Sequence, residues 1–215
     1  MIIVNFKIYR ETFGDGALEL AKICQSVAQK RNIKIIPAVS ALDVYRIKHE
    51  LDMEVLVESV DLYEEGAKSG YISPIAAQMA GAMGAIINHS EHKLKPGTIK
   101  SILKKWPKDF RSVVCLQTTG QAESWAKNIK ADIIAYEPSY LIGSKDKSVS
   151  TDEVKSIEKF VRFYPNIPVL VGAGVKSTKD VEIALSLGAK GVLVSSAIVT
   201  AADPEKELLE LSAAF

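Results

Sequence analysis

Eight short and almost wholly apolar segments, rich in valine and isoleucine, recur along the chain. Strands that are covered on both faces lose the alternation of polar and apolar residues and show patterns of this kind. The segments therefore predict eight buried strands of the type found in parallel sheets. They are Ile2–Phe6, Ile33–Ala38, Val55–Val57, Ala85–Asn88, Val113–Leu116, Ile133–Tyr136, Val169–Val171 and Val192–Val194.

Stretches with helical periodicity separate most of these segments, and several begin with a hydroxyl residue followed by acids, as helix N-termini do. Strands that alternate with helices indicate parallel pairing through right-handed crossovers. Eight such units that close on themselves form an α/β fold, the (β/α)8 barrel; the pattern alone leaves an open doubly wound sheet as the alternative. The helical stretches are Gly16–Lys30, Thr98–Trp106, Gly120–Ile129, Ser150–Phe163, Thr178–Leu187 and Glu205–Leu211.

Length and charge favour one large domain without a strongly charged partner. The chain has 215 residues, of which 47% are hydrophobic, and this predicts a single barrel domain over residues 1–215. The 27 Lys and Arg residues are balanced by 26 Asp and Glu residues, so no bulk charge favours nucleic acid or a membrane surface.

The two cysteines and the N-terminus indicate a cytoplasmic protein. Cys24 and Cys115 lie in apolar patterns without metal or redox spacing, which predicts two buried free thiols in a reducing compartment. The first residues, MIIVNFK, lack the basic region and the apolar length of a signal peptide, and no apolar run is long enough to span a membrane.

Candidate catalytic side chains follow three of the predicted strands, at the carboxyl ends where parallel α/β enzymes place their active sites. Asn5 and Lys7 follow the first strand, His89 and Glu91 the fourth, and Glu137 the sixth. Together they supply a cation, an imidazole and two carboxylates, without a cluster of metal-ligand spacing. Each also has a structural interpretation: a loop cap for Glu137, a hydrogen-bonded imidazole for His89, and a charge leaving the core for Lys7.

Small residues follow the last two predicted strands. They are Gly172–Ala173–Gly174 after the seventh strand and Ser195–Ser196 after the eighth. Barrel enzymes commonly bind phosphate at this place through backbone N–H groups, and small side chains let an anion approach the backbone. The pattern predicts a phosphate site, with two ordinary tight turns as the alternative.

Five motifs, four of which contain the residues described above, resemble one family, the triosephosphate isomerases, and they come in that family's order over nearly the whole chain. The short chain and the Gly-Ala-Gly turn are similar to the archaeal branch of the family. The motifs are Asn5-Phe6-Lys7, Asn88-His89-Ser90-Glu91, Tyr136-Glu137-Pro138, Leu141-Ile142-Gly143 and Gly172-Ala173-Gly174.

The resemblance implies a TIM barrel that interconverts D-glyceraldehyde 3-phosphate and dihydroxyacetone phosphate in glycolysis and gluconeogenesis, without a metal or an organic cofactor. The residues that it implies as catalytic are Lys7, His89 and Glu137, with Glu91 either as a supporting acid or as the cap of a short helix after His89. It also implies a lid from Pro138 to about Val149. The residues that it implies as substrate-binding are Asn5, Lys7, Ile142, Gly143, Gly174, Ser195 and Ser196.

Three features depart from the family pattern. Glu58 stands after the third strand where the family usually has a neutral glutamine, and the lid tip reads Lys145-Asp146-Lys147 where relatives are richer in glycine. Ser195-Ser196 replaces two glycines that are common in bacterial and eukaryotic members. The resemblance does not determine how the charged lid tip and Glu58 affect activity.

Two other functions are alternatives to that of a triosephosphate isomerase. Another phosphate-sugar barrel isomerase or epimerase, such as a ribulose-phosphate epimerase, would share the phosphate site but lack the catalytic set, and a non-catalytic sugar-phosphate sensor would not need an aligned base.

The resemblance implies a homodimer in which the loop Tyr63–Ser73 enters the neighbouring site and Ser69 contacts the partner's Asn5. Like charges on the fourth and fifth helices oppose a tetramer; these are Lys93, Lys95, Lys100, Lys104, Lys105 and Lys108.

Overall fold

A closed barrel of eight parallel strands forms the centre of the protein in the computed structural model, which describes residues 1–62, 66–144 and 146–215. The first strand pairs with the second on one side and with the eighth on the other, where Ile2 lies opposite Ile35 and Val192 respectively. The predicted (β/α)8 barrel is thus confirmed and the open sheet is excluded. The strands are β1 (Ile2–Asn5), β2 (Ile35–Val39), β3 (Leu56–Val57), β4 (Gly84–Ile87), β5 (Arg111–Leu116), β6 (Ile133–Tyr136), β7 (Val169–Gly172) and β8 (Gly191–Val194).

Helices follow every strand. Three of them lie outside the stretches predicted from periodicity, namely Ala41–Leu51, Pro74–Met79 and Ser196–Val199, and one predicted stretch forms two helices. The second helix was not predicted, because it buries only a narrow face against the barrel. The predicted helix Ser150–Phe163 is two helices, since the backbone of Glu153 leaves helical geometry between them. The helices are α1 (Asp15–Arg31), α2 (Ala41–Leu51), α3 (Pro74–Met79), α4 (Pro96–Lys104), α5 (Thr119–Trp125), α6 (Val149–Asp152), α7 (Val154–Phe163), α8 (Thr178–Ser186), α9 (Ser196–Val199) and α10 (Pro204–Ser212).

Alternation along the strands divides the core into two parts. In β1, Ile3 points into the barrel, whereas Ile2 and Val4 point outwards to the helices, and all three are fully buried. This double burial explains why the strands read as continuous apolar runs. The interior is filled by Ile3, Ile36, Ala38, Leu56, Ile86, Val113, Cys115, Ile133, Ala135, Leu170 and Leu193.

Cys24 and Cys115 are buried free thiols, as predicted. Among the described residues, no helix is both long and apolar enough to cross a bilayer. Residues 63–65 of the predicted third loop and Lys145 of the predicted lid tip lie outside the part of the chain that the structure describes.

Candidate active site

A cavity of about 450 Å³ opens at the carboxyl ends of the strands, and it brings together nine of the ten predicted site residues. Glu91, the tenth, contacts the cavity residues Lys7 and His89 from the edge. The roles assigned to these residues remain predictions, but their common location is a finding. The nine are Asn5, Lys7, His89, Glu137, Ile142, Gly143, Gly174, Ser195 and Ser196.

Lys7 is held in an unusual backbone conformation just after β1. Its φ is 52°, in the left-handed region that costs a side-chain-bearing residue about 1–3 kcal/mol. The Asn5 side chain accepts a hydrogen bond from the Lys7 N–H at 3.2 Å, and Thr12 donates its hydroxyl proton to the Lys7 carbonyl. The ammonium donates to Glu91 Oε1 at 2.8 Å, and only 12% of the lysine side chain is exposed. Local hydrogen bonds therefore fix a cation at the cavity wall.

Asn88 fixes the chain just before His89 at the end of β4. Its φ is 61°, and its side-chain amide donates to the Cys115 carbonyl at 2.8 Å. Its side-chain oxygen accepts from the N–H of Leu94, while Gln117 donates to its backbone carbonyl. Hydrogen bonds from both sides thus turn the chain so that the following imidazole enters the cavity.

The His89 imidazole is neutral and carries its proton on the nitrogen that faces Glu137. Nδ1 accepts a hydrogen bond from the Glu91 N–H at 3.2 Å, which assigns the proton of the neutral ring to Nε2. Burial and the Lys7 ammonium, opposed in part by Glu91, lower the pKa of His89 to about 4. The short helix expected after His89 is a turn instead, so Glu91 caps no helix and the neutral charge state does not depend on one.

Glu137 follows β6 and places a free carboxylate oxygen inside the cavity. Oε2 is buried, lies 3.5 Å from His89 Nε2, and has no hydrogen-bond partner among the described residues. Burial raises the pKa of Glu137 to about 7, against the lowering effects of a Cys115 hydrogen bond and of the Lys7 charge. The carboxylate fits because residue 172 is glycine: a Cβ there would stand 2.6 Å from Glu137 Oε1. A neighbouring strand thus leaves room for the acid.

Cys115 is the contact that sequence reasoning missed. The prediction of a buried apolar thiol is correct, but its side chain lies inside the barrel and hydrogen-bonds to the Glu137 carboxylate. Burial and the neighbouring carboxylate raise the pKa of the thiol, so it stays protonated and donates. The inward position of Cys115 in β5 was the available signal, since β6 is the adjacent strand.

Small residues at the ends of β7 and β8 line a second wall of the cavity. Ser196 begins α9, and the buried Ser195 hydroxyl has no hydrogen-bond partner in the described part of the chain. Gly174 has a φ of 74°, and a Cβ on it would stand 2.2 Å from the Lys147 carbonyl oxygen. The absence of a side chain at Gly174 therefore also leaves room for the segment that returns from the predicted lid. Lys176, Ala197 and Thr200, which were not predicted, line this wall too.

Glu58 is an added carboxylate beside the site. Burial, Glu91 and Asp43 raise its pKa to about 6, and its Oε2 is buried without a partner among the described residues. The described residues contain no group of three or more His, Cys, Asp or Glu side chains that could hold a metal ion.

Comparisons with known proteins agree with this geometry. The family model described as triosephosphate isomerase matches residues 1–214. The triosephosphate isomerase of Methanobacterium bryantii is 37% identical over 98% of this chain and 95% of its own length, and that of Saccharolobus solfataricus is 37% identical over 96% and 92%. The crystal structure of the Bartonella henselae enzyme, 20% identical, matches the fold with a TM-score of 0.69 and covers 90% of this chain and 91% of its own.

Proposed function

Since the chain belongs to the triosephosphate isomerase family and is therefore an isomerase, we propose that Glu137, His89 and Lys7 interconvert D-glyceraldehyde 3-phosphate and dihydroxyacetone phosphate. The observation that carries this assignment is the unpaired Glu137 Oε2, buried in a cavity that also holds an imidazole and an ammonium group. A pocket that only bound a sugar phosphate would have no use for an unpaired basic oxygen.

Glu137 acts as the base. Its Oε2 takes a proton from the carbon next to the substrate carbonyl, and the same oxygen returns that proton to the neighbouring carbon. A carbon acid is weak, so the base must be both desolvated and well aligned. Burial supplies the desolvation, and the space at Gly172 supplies the alignment.

His89 and Lys7 stabilise the enediolate between the two proton transfers. The Nε2–H of the neutral imidazole donates to the substrate oxygens and shuttles protons between them. This family is itself the standard example of a neutral histidine used as an electrophile. The Lys7 ammonium balances the negative charge in a site with little water, where such stabilisation is strongest. Glu91 accepts a hydrogen bond from that ammonium, and Asn5 accepts one from the Lys7 backbone N–H.

Backbone N–H groups of Gly174, Ser195 and Ser196 bind the substrate phosphate, with Ile142 and Gly143 approaching it from the predicted lid. All five residues line one cavity with the catalytic groups. The unpaired hydroxyl of Ser195 is an additional donor for the phosphate. A lid from Pro138 to Val149 that covers the substrate would keep water from the enediolate.

A coupled assay with D-glyceraldehyde 3-phosphate tests the proposal. We expect dihydroxyacetone phosphate to form without added metal or cofactor. A protein that binds the substrate without converting it would be a sensor, and one that instead epimerises a pentose phosphate would be another barrel isomerase. Either result would contradict the proposed function.

The protein is further proposed to act as a homodimer. Six large apolar side chains are exposed on the first and third loops and on α2 and α3. The first loop contacts α2, where the Gly14 N–H donates to Asp43. Contiguous exposed apolar surface is typical of an interface. Six exposed lysines on and around α4 disfavour further assembly into a tetramer, and light scattering that shows a salt-independent tetramer would contradict this. The apolar side chains are Ile8, Phe13, Leu42, Tyr45, Tyr71 and Met79.

We also propose that the chain forms a single domain and lies in the cytoplasm. A single domain over residues 1–215 is supported by the pairing of β1 with β8 and by the packing of α10 on α1. A cytoplasmic location is supported by the two buried free thiols, because a reducing compartment keeps cysteines unpaired.

A further inference from the structure

Glu153 lies between α6 and α7, where one carboxylate gathers three hydroxyl groups from different parts of the chain. Tyr136 donates to Oε2 at 3.1 Å, Ser156 also donates to Oε2, and Tyr140 donates to Oε1. Partial burial of Glu153 raises its pKa, but the hydrogen bonds from Ser156, Tyr140 and Tyr136 outweigh that effect and hold the pKa below its ordinary value. The group is therefore an anion that accepts charge-assisted hydrogen bonds.

The two oxygens of this carboxylate have different partners. Oε2 is bound to the rigid part of the molecule, because Tyr136 ends β6 directly before Glu137 and its buried ring stacks on Phe160 of α7 at 4.2 Å. Oε1 is bound by Tyr140, which lies in the single turn of 3-10 helix Ser139–Leu141 at the start of the predicted lid. One oxygen thus anchors the carboxylate, and the other holds the loop.

Core packing does not explain the tyrosine at position 140. Its side chain is 67% exposed, whereas the adjacent Leu141 is buried and attaches the turn to the core. The next two residues, Ile142 and Gly143, line the cavity that contains Glu137. A hydrogen bond that orders the Tyr140 side chain therefore fixes the angle at which these two residues reach the substrate.

We propose that Glu153 is a positioning residue for the isomerisation, and that its Oε1 bond to Tyr140 holds Ile142 and Gly143 over the substrate. This inference rests on the proposed function. While these residues cover the cavity, the enediolate is protected. If they move away, the enediolate electron pair can form a carbon–carbon double bond as the neighbouring carbon–oxygen bond to phosphate breaks, which releases inorganic phosphate. The hydrogen bond should thus suppress elimination relative to isomerisation.

The experiment measures kcat, KM and the inorganic phosphate released per molecule isomerised for Tyr140→Phe and Glu153→Gln. Tyr140→Phe removes only the Oε1 bond from an exposed side chain, so the fold should be unaffected. We expect each variant to lower kcat/KM by about three- to ten-fold and to raise the released phosphate fraction by a similar factor, because the bond is made by an exposed side chain and should contribute no more than a typical hydrogen bond. Thermal unfolding of Tyr140→Phe should be unchanged.

Two variants serve as controls. Glu158→Gln changes an exposed glutamate on the same helix α7, so it should retain the wild-type phosphate fraction. Ser156→Ala removes a bond to Oε2 and leaves the Tyr140 bond, so it should affect stability more than elimination.

The possible failures are distinguishable. A wild-type protein that does not isomerise the substrate contradicts the proposed function and this inference with it. An active wild type whose Tyr140→Phe and Glu153→Gln variants release no more phosphate than Glu158→Gln overturns the inference alone. A phosphate fraction that rises as much in Ser156→Ala as in Tyr140→Phe shows a general loosening of the loop and also overturns it.

Discussion

The two halves of the cavity are built in opposite ways. At the ends of β1, β4 and β6 the functional groups are side chains, and the backbone is strained to present them, as at Lys7. At the ends of β7 and β8 most of the lining residues are small, and the groups proposed to bind the phosphate belong to the backbone. Replacing one side-chain atom should therefore remove the proposed chemistry of the first half, whereas binding in the second half should be sensitive mainly to space.

The difference follows from what each half must do. Proton transfer needs a group that gains and loses a proton near neutral pH, and burial raises the pKa of Glu137 to about 7, which fits the role proposed for it. A phosphate needs fixed donors that do not titrate, and backbone N–H groups provide them. We therefore expect substitutions in the first half to reduce turnover, and substitutions in the second half to reduce the affinity for phosphate.

Glu137→Gln should give the largest effect. The amide keeps the size of the side chain but removes the basic electron pair, and general-base catalysis contributes roughly 10²- to 10⁴-fold to the rate. Turnover of D-glyceraldehyde 3-phosphate should fall by at least that factor, while inhibition by inorganic phosphate is retained. Glu137→Asp should rescue turnover only in part, since a displacement of about 1 Å can cost ~100-fold. Near-normal turnover of the Gln variant would refute the proposed base.

Glu137→Gln also tests how the free energy of unfolding changes with pH, and the raised pKa of Glu137 fixes the direction of that change. The pKa of Glu137 is about 7 in the folded protein and 4.5 for a free group, so the stability that its protonated form contributes is present below pH 4.5 and is lost as the pH rises through 7. The wild type should therefore lose up to about 3 kcal/mol relative to Glu137→Gln over this range. Denaturant unfolding at pH 5 and pH 8 measures the change, with the exposed Glu182→Gln as the control that shows none.

The pH dependence of kcat/KM should show an acid limb with a pKa near 7, the value to which burial raises Glu137. Because only the carboxylate is active, kcat/KM should fall by about 100-fold from pH 8 to pH 5. His89 does not contribute, since its pKa is about 4. Glu91→Gln provides the check: removing a charge that raises the Glu137 pKa should move the limb to lower pH, whereas ionisation of the substrate phosphate would stay where it is. An unmoved limb would mean that Glu137 is not the titrating group.

Much of the fold could be predicted from the sequence because its cause is local. Strands covered on both faces must be apolar throughout, and all eight were found from that pattern alone. Helix α2 was missed because only Val44, Ile47 and Asp43 are buried in it, which leaves a weak periodicity. The break at Glu153 was missed because the apolar periodicity continues across it, and two of the three hydroxyl groups bound there, those of Tyr136 and Tyr140, reach Glu153 only in the folded chain.

The site could be predicted only as a list of residues. Position at strand ends identified Glu137, His89 and the small residues, and the resemblance supplied their roles. It could not show that Lys7 and Glu91, 84 positions apart, form an ion pair. Nor could the sequence show that Lys7 adopts a positive φ, because lysine is not a residue type that favours this conformation. Both features depend on closure of the barrel, which brings β1 and β4 to the same rim.

Gly174→Ala tests whether space governs the second half. The new Cβ would stand 2.2 Å from the Lys147 carbonyl oxygen at a φ of 74°, so the segment returning from the lid must shift. We expect the inhibition constant of inorganic phosphate to rise by about ten-fold and the melting temperature to fall by several degrees, as a strain of about 1–3 kcal/mol implies. Gly97→Ala is the matched control, because its Cβ would meet nothing within 4 Å. Equal behaviour of the two variants would argue against a spatial constraint at 174.

Ser196→Ala and Ser195→Ala should have the smallest effects, and they separate backbone from side-chain binding of phosphate. Ser196→Ala leaves the backbone N–H in place at the start of α9, so the inhibition constant of inorganic phosphate should change less than about two-fold. Ser195 carries a buried hydroxyl without a partner among the described residues, and its loss should weaken phosphate binding by about three-fold, the effect of removing one donor while the backbone donors remain. Unfolding of the Ser195→Ala variant should need no less denaturant, because removing an unpaired buried hydroxyl removes a desolvation cost. A loss of ten-fold or more in either variant would mean that side chains hold the phosphate, and the two halves of the cavity would then work by the same principle.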